Sequence, residues 1–569
     1  MSSEHNRIDH GPMLNAYPDS MGGTLGDIVD LLKKEEFQNV FSSFYILPSV
    51  FHTDLDRGFS VIDYSLNKRL AKREDLNALE ALGVNLKLDF ILNHASVLSP
   101  QFQDLLKKGE ESEYRDFFID WNRFWEGHGT MTEEGYIQPD PGLIADMFFR
   151  KPGLPILMVR FPDGKNVPYW NTFYQEVRYP AVDAQDLMQA LPVQYGEAEY
   201  LAEQMNQGIA AGKRPAEIPL GDCEEYRAAL TDLMESRRKY LGQMDVNIKS
   251  PKVWEFYEET LQTLASYGAK IVRLDAFAYA PKEPGEKNFL NEPGTWELLE
   301  KVQALAAQYG VSLLPEIHAA YEEKIYEKIA EKGYMTYDFF LPGLLIDALE
   351  RADGATLAAW AEELQEKHIR TVNMLGCHDG IPLLDLKGMI PAERIEALIE
   401  TVVARGGMVK DLHGQKNVYY QVNATYYSAL GEDDRKFFLA RVLQLFMPGK
   451  PQIWYLDLFA GKNDREAVAR AGAAGHKEIN RTNLSIKALE DGLSREVVRK
   501  QLTLLRFRKE FPAFGFDAAL SVENEGSRMR FIWKKDGCTA MLSADLETAA
   551  FTASGQNERG ETVFEMAEH

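Results

Sequence analysis

Three carboxylates stand where buried strands would end. Asp275 closes KIVRLD, Glu316 closes LLPE and Asp379 follows NMLGCH. An apolar run that stops at an acid is costly unless the charge is paired or used, so three such stops on separate strands imply convergence on one site. Breaking a glycosidic bond through an oxocarbenium-like transition state needs such a set: a carboxylate to attack the anomeric carbon, a protonated carboxyl to release the leaving group, and negative charge beside the developing cation. Asp275, Glu316 and Asp379 can fill those roles in that order. Arg273, two residues before Asp275 on one strand, faces the same side and is expected to keep Asp275 ionised and oriented. Glu316 follows Leu313, Leu314 and Pro315, and apolar surroundings there would raise its pKa enough to hold a proton near neutrality. A fourth segment, LKLDFILNH at 86–94, adds Asp89 as a brace and His94, which together with His378 can donate to sugar hydroxyls. Taken singly, an acid or histidine at a strand end is more often a cap or a satisfied core group. Four such segments in order weigh against that reading.

The elements that must carry these residues alternate. Short β-like runs at 42–48, 85–92, 269–277, 311–318 and 335–341 are separated by helical stretches such as VWEFYEETLQTLASYG at 253–268. This rhythm predicts an α/β fold, a (β/α)8 TIM barrel with inserted subdomains and a small C-terminal β domain, because catalytic groups of such a barrel sit at the C-terminal ends of its strands. A doubly wound sheet would need a Gly-rich phosphate turn after its first strand, and none follows. The barrel is expected from 1–94, 244–380 and 433–512. Residues 95–243 form an inserted subdomain with a further insertion at about 174–242, too long for a loop. A second excursion at 381–432, half helix and half Gly-rich loop, is placed to hang over the same barrel face, and alternating runs at 513–569 predict a small antiparallel domain.

Composition narrows the function. The chain has 569 residues, 45% of them hydrophobic, enough to bury a large core. With 63 basic against 87 acidic residues the net charge is −24, which argues against nucleic acid or an anionic membrane surface as partner. An anionic co-substrate would need a local basic pocket. Cys223, Cys377 and Cys538 are too few and too scattered for a disulfide framework or a thiolate metal site, and a reducing cytoplasm fits them. The start, MSSEHNRIDHGPMLNAYPDS, has no signal-like pattern, and no stretch of eighteen apolar residues occurs. The expectation is a cytoplasmic protein, monomer or homodimer. No cofactor is implied, although a Ca²⁺ held by loop carbonyls would leave no readable pattern.

The set Asp89, Asn93 and His94 (D-x-x-x-N-H), Arg273, Asp275 and Ala276 (R-x-D-A), Glu316, and His378 with Asp379 (H-D) resembles the four signature regions of the α-amylase superfamily, glycoside hydrolase family 13. RLDAFAYAPK, LLPEIHAAY, HDGI, MLNAYPDSMGG, LDRGFSVIDY and EINR at 478–481 look most like the sucrose phosphorylases of that family, over nearly all of 12–513. The resemblance implies a retaining double displacement from a sugar to inorganic phosphate. Asp275 would be the nucleophile, Glu316 the acid/base and Asp379 the transition-state stabiliser. By the same resemblance Asp56 and Arg481 would hold the far hydroxyls of glucose, Phe59 would form an apolar platform with His94 and His378 beside the ring, Gln421 and Gln243 would line the acceptor side, and Lys151 would hold phosphate. Arg150 and the loop cations Lys410, His413 and Lys416 could assist it.

Departures from the pattern concern the acceptor. The acceptor loop usually opens on Asp, but here it reads Val418, Tyr419, Tyr420, Gln421. Phe148 or Phe149 replaces a Tyr before the phosphate-site cation, Gly376 and Cys377 stand in place of Asp-Thr, and about seventy residues are inserted between Phe173 and Gln243. A site built to bind a hydroxyl discriminates strongly for it, so the acceptor is left open among fructose, a phosphorylated fructose, glycerol, glycerate and another small polyol. The loop cations lean toward an anionic one. A hydrolase or transglucosylase using the same acids, and a non-catalytic amylase-fold binding protein, are the rival readings.

Overall fold

The computed structural model describes residues 8–150, 153–411 and 419–569. Eight parallel strands form its centre: β1 (Met13–Ala16), β2 (Ser43–Ile46), β3 (Asn85–Ile91), β4 (Ala269–Asp275), β5 (Ser312–Pro315), β6 (Thr336–Asp338), β7 (Thr371–Met374) and β8 (Lys450–Trp454). Their order, β5-β4-β3-β2-β1-β8-β7-β6, brings the last strand beside the first, so the sheet curls into a barrel whose two end strands are β5 and β6. Most strand residues are buried on both faces, which is why they read as continuous apolar runs rather than as alternation.

Period and register position the chemistry. On β3 the two-residue repeat turns Lys87 and Asp89 to the same side, and both are fully buried. On β4 the same repeat aligns Arg273 and Asp275, and Arg273 lies directly opposite Asp89 in the ladder. Their side chains meet because their strands are in register.

Between β3 and β4 the chain builds two layers. The nearer holds antiparallel hairpins, Ile156–Arg160 with Asn166–Trp170 among them, over a cluster of Trp121, Trp125 and Trp170. The farther hangs on a neck in which Gln175–Arg178 pairs with 239–242. Beyond the neck the helices Ala184–Ala190, Tyr195–Ala210 and Arg227–Arg237 close over an apolar core of their own, containing Leu187, Leu201, Met205, Leu230 and Met234. The excursion after β7 contains the helix Ala392–Ala404, as expected. Its second half differs from the expected loop: Met408–Asp411 pairs antiparallel with Tyr419–Asn423, and Ile381 bridges Val422. The intervening residues, with the predicted loop cations His413 and Lys416, lie outside the described residues, as does the Lys410 side chain.

The C-terminal strands β9 (Ala519–Glu525), β10 (Arg528–Lys535), β11 (Cys538–Asp545), β12 (Ala550–Gln556) and β13 (Thr562–Glu568) form an antiparallel meander. Met529, Phe531 and Trp533 alternate inward on β10, and the Trp533 indole donates to the Phe446 carbonyl, docking the sheet on the barrel. No helix among the described residues is long and apolar enough to cross a membrane.

Candidate active site

Asp275, Glu316 and Asp379 do converge at the C-terminal ends of the strands, and Arg273 ties the first two together. Its Nη1 donates to Asp89 Oδ1 at 2.7 Å and Asp275 Oδ1 at 2.8 Å, while Nη2 lies 3.5 Å from Glu316 Oε1. Tyr45 donates its hydroxyl to the other Asp89 oxygen at 2.7 Å. Asp89 is thus a fully occupied brace that fixes the guanidinium.

The electrostatics correct two expectations. Burial pushes the Asp275 carboxyl up to about 7; Arg273 opposes this, and the Glu316, Asp89 and Asp379 carboxylates add to it. One arginine shared among three acids does not keep Asp275 fully ionised. Glu316 was expected in apolar surroundings, but it faces a histidine: His318 Nε2 is 3.2 Å from Oε1, and His318 Nδ1 is 2.9 Å from Asp385 Oδ2. Burial acts to lower the His318 pKa, but Asp385 and Glu316 raise it to about 10. Burial likewise acts to raise Glu316, and Arg273 with His318 outweighs it, holding the carboxyl below its ordinary range. These shifts favour the proton on the His318 imidazole over the Glu316 carboxyl.

Around the third acid, His378 Nε2 lies 3.1 Å from Asp379 Oδ2, and Lys477 Nζ lies 2.8 Å from Asp379 Oδ1 and 3.4 Å from Asp56 Oδ2. Arg481 Nη1 is 3.6 Å from Asp56 Oδ1, and its Nε donates to the His378 carbonyl. Burial would raise Asp379, but His378, Lys477 and Arg481 hold it well below the carboxylate range. Phe59, expected as an apolar platform, stacks with His378 at 4.8 Å and 11°, and the Arg273 guanidinium lies 5.6 Å from its centroid, so the ring props up two site residues. His94 Nε2 bonds the Phe59 carbonyl at 2.9 Å, and Gln243 donates to the same carbonyl at 3.0 Å. Gln421 Nε2 approaches His318 Nε2 at 3.5 Å, on the Glu316 side.

Lys151 lies outside the described residues. Its neighbour Arg150 lies over the Phe173 ring at 4.8 Å, and Phe173 packs in turn against His94 and Tyr279. Among the described residues, no group of His, Cys, Asp and Glu is arranged to hold a metal ion. A buried ammonium instead joins the barrel to the inserted subdomain, with Lys282 Nζ 2.8 Å from Asp245 Oδ2 and 3.1 Å from Asn93 Oδ1.

Scanned against models of protein families, the chain matches none. Among curated proteins it is 49% identical over 556 residues to the sucrose 6(F)-phosphate phosphorylase of Ilumatobacter coccineus, covering 96% of each chain. The chain belongs to the sucrose phosphorylase-like subfamily of glycoside hydrolase family 13. The crystal structure of sucrose 6F-phosphate phosphorylase from Thermoanaerobacter thermosaccharolyticum superposes with a TM-score of 0.79 at 32% identity, over 99% of this chain and 98% of that one. The α-amylase from H. orenii, at 15% identity and a TM-score of 0.59 over 95% and 90% of the two chains, shares the fold. The protein is therefore a phosphorylase, a glycosyltransferase that moves a glucosyl group to phosphate.

Sequence reasoning missed three residues of this phosphorylase's site. His318 was recoverable, since E-x-H at a strand end puts both side chains on one face by the two-residue period. Asp385 reaches His318 from the next excursion, and no local pattern marks it. Lys477 stands four residues before Arg481, a helical spacing that puts the two heads together, but it sits in a stretch that reads as ordinary polar surface.

Proposed function

We propose that this phosphorylase acts on sucrose 6F-phosphate, releasing fructose 6-phosphate and forming α-D-glucose 1-phosphate with retention. The observation that carries this is the 49% identity, over nearly the full length, to a sucrose 6(F)-phosphate phosphorylase. Two features of the chain support it. The acceptor loop lacks the acid that would bind a fructose hydroxyl, and the His318 cation stands at the Glu316 side of the site, where a leaving-group phosphate would lie.

Asp275 attacks the anomeric carbon as the bond to the fructosyl oxygen breaks, and Glu316 gives that oxygen its proton. Asp379 stabilises the cationic transition state. In the second half-reaction an oxygen of inorganic phosphate attacks the glucosyl ester, Glu316 takes the proton of that phosphate, and Asp275 is released. The acid role of Glu316 needs a proton that its cationic neighbours disfavour. A phosphorylated leaving group resolves this by drawing the His318 charge to itself and weakening the hold of His318 on the Glu316 carboxylate. Asp56 and Arg481 hold the far hydroxyls, His94 and His378 flank the ring, and Gln421 and Gln243 complete the wall. Lys151 with Arg150 receives phosphate, the excursion at 381–432 covers the site, and a monomer or homodimer in the cytoplasm is the setting.

The test is release of glucose 1-phosphate from sucrose 6F-phosphate and from sucrose, each with and without phosphate. Phosphate-dependent release with a higher kcat/KM for the phosphorylated sugar is expected. A preference for sucrose would move the acceptor to fructose, and free glucose at equal rates without phosphate would favour a hydrolase.

A further inference from the structure

Around Asp379, four charges alternate. Asp56 and Asp379 come from segments far apart in sequence, and each faces the same two cations, Lys477 and Arg481. Only the Lys477–Asp379 side, at 2.8 Å, has the length of a charge-assisted hydrogen bond. The other three sides measure 3.4 Å from Lys477 to Asp56, 3.6 Å from Arg481 to Asp56 and 3.7 Å from Arg481 to Asp379. Such lengths leave these donors and acceptors only partly satisfied by one another, with hydrogen-bonding capacity for hydroxyl groups, each both donor and acceptor. A second observation points the same way. Arg481 is 3% exposed, and its Nη2, 3.7 Å from Asp379, has no hydrogen-bond partner among the described residues, an arrangement that costs free energy unless a ligand supplies one.

We propose that Lys477 is a substrate-binding residue of the glucosyl subsite, donating to the ring hydroxyls remote from the anomeric carbon. An ammonium has three donors. It bridges Asp56 and Asp379; with sugar bound it keeps its contact with Asp379 and turns another donor to the 3- or 4-hydroxyl. Asp56 and Arg481 then close on the same hydroxyl pair from the opposite side. The ligand class is a glucopyranosyl donor, so the inference rests on the glucosyl-transfer reading and adds a residue to it. It also gives the pocket a way to discriminate epimers, because an inverted 4-hydroxyl would leave a buried donor and a carboxylate unpaired.

The experiment uses the full chain and compares Lys477→Met and Lys477→Arg with the wild type, reading kcat/KM for α-glucose 1-phosphate and its 3-deoxy and 4-deoxy analogues with whichever of fructose 6-phosphate or fructose the wild type accepts. Lys477→Met is expected to lose on the order of 10- to 100-fold on the parent donor and much less on the analogue lacking the hydroxyl that Lys477 reads, with Lys477→Arg recovering part of the loss. Equal losses on the parent and both deoxy sugars, or no loss on the parent, would overturn the proposal. A wild type that turns over no glucosyl donor would bring down the glucosyl reading itself, and this inference with it.

Discussion

The hold of His318 on Glu316 makes a pH prediction whose sign follows from charge. As the proposed general acid, Glu316 works only when protonated, so the rate of the first half-reaction falls as pH rises through its pKa. The His318 cation lowers that pKa. His318→Gln should therefore move the alkaline limb of kcat/KM to higher pH, and it should also narrow the preference for a phosphorylated over a plain acceptor. A pH–rate profile on both acceptors checks this; an unmoved limb would show that His318 does not act on the acid. Asp275→Asn, which keeps shape and removes the nucleophile, should reduce kcat by on the order of 10⁴-fold or more, read as glucose 1-phosphate release. A fully active variant would remove Asp275 from the role. The three acids were legible in sequence because each ends an apolar run, where a charge demands an explanation. Their protonation was not. The apolar residues before Glu316 belong to the strand core, and what the carboxyl meets is set by His318 and by Asp385 from a different excursion.

Elements explain why some strands were legible and others were not. NLKLDFIL and AKIVRLDAF are long enough to show buried runs ending in polar residues. Met13–Ala16 and Lys450–Trp454 are only four and five residues, buried throughout and interrupted by Asn15, Lys450 and Gln452, too short for periodicity to tell a strand from a helix segment. The hairpin after Ala392–Ala404 was read as a loop because glycine opens it and pairing, not pattern, makes it a strand. Junctions between elements were least legible. Lys282, buried and 2.8 Å from Asp245, ties the turn after β4 to the strand that returns from the insertion, and Thr172 donates to the same carboxylate through its amide and hydroxyl. Lys282→Met leaves Asp245 buried without its counter-charge and should lower unfolding stability by about 3 kcal/mol or more, measured by denaturant titration. A change under about 1 kcal/mol would mean that Thr172 and Asn93 suffice.

For the molecule as a whole, the insertion is separable. Arg178 and Lys239 are direct partners in the neck ladder, and the helices beyond it have a core of their own. Replacing 179–238 by an Asn-Gly turn converts the neck into a two-residue hairpin. That variant should fold and keep glucosyl transfer within about tenfold of the full chain, because no residue of the catalytic cluster lies in the excised part and far-removed sites are close to additive. Loss of all activity in a folded variant would assign the helices a part in catalysis. The alternation of strand and helix made the barrel visible from sequence, whereas an insertion announces only its length; its purpose is not written in any motif.

The barrel itself is a ring cut once, between β5 and β6. Strand β5 carries Glu316 at its end and is laddered on one edge only, to β4. Across the cut, the His318 ring stacks on Phe339 at 3.8 Å, so side chains do the stitching that backbone does elsewhere. In mechanical terms a mount held by backbone on one edge carries the group that must serve two different oxygens in turn, while Asp275 sits on a strand laddered on both sides. Amide hydrogen exchange should show that gradient as faster opening at 312–316 than at 271–275.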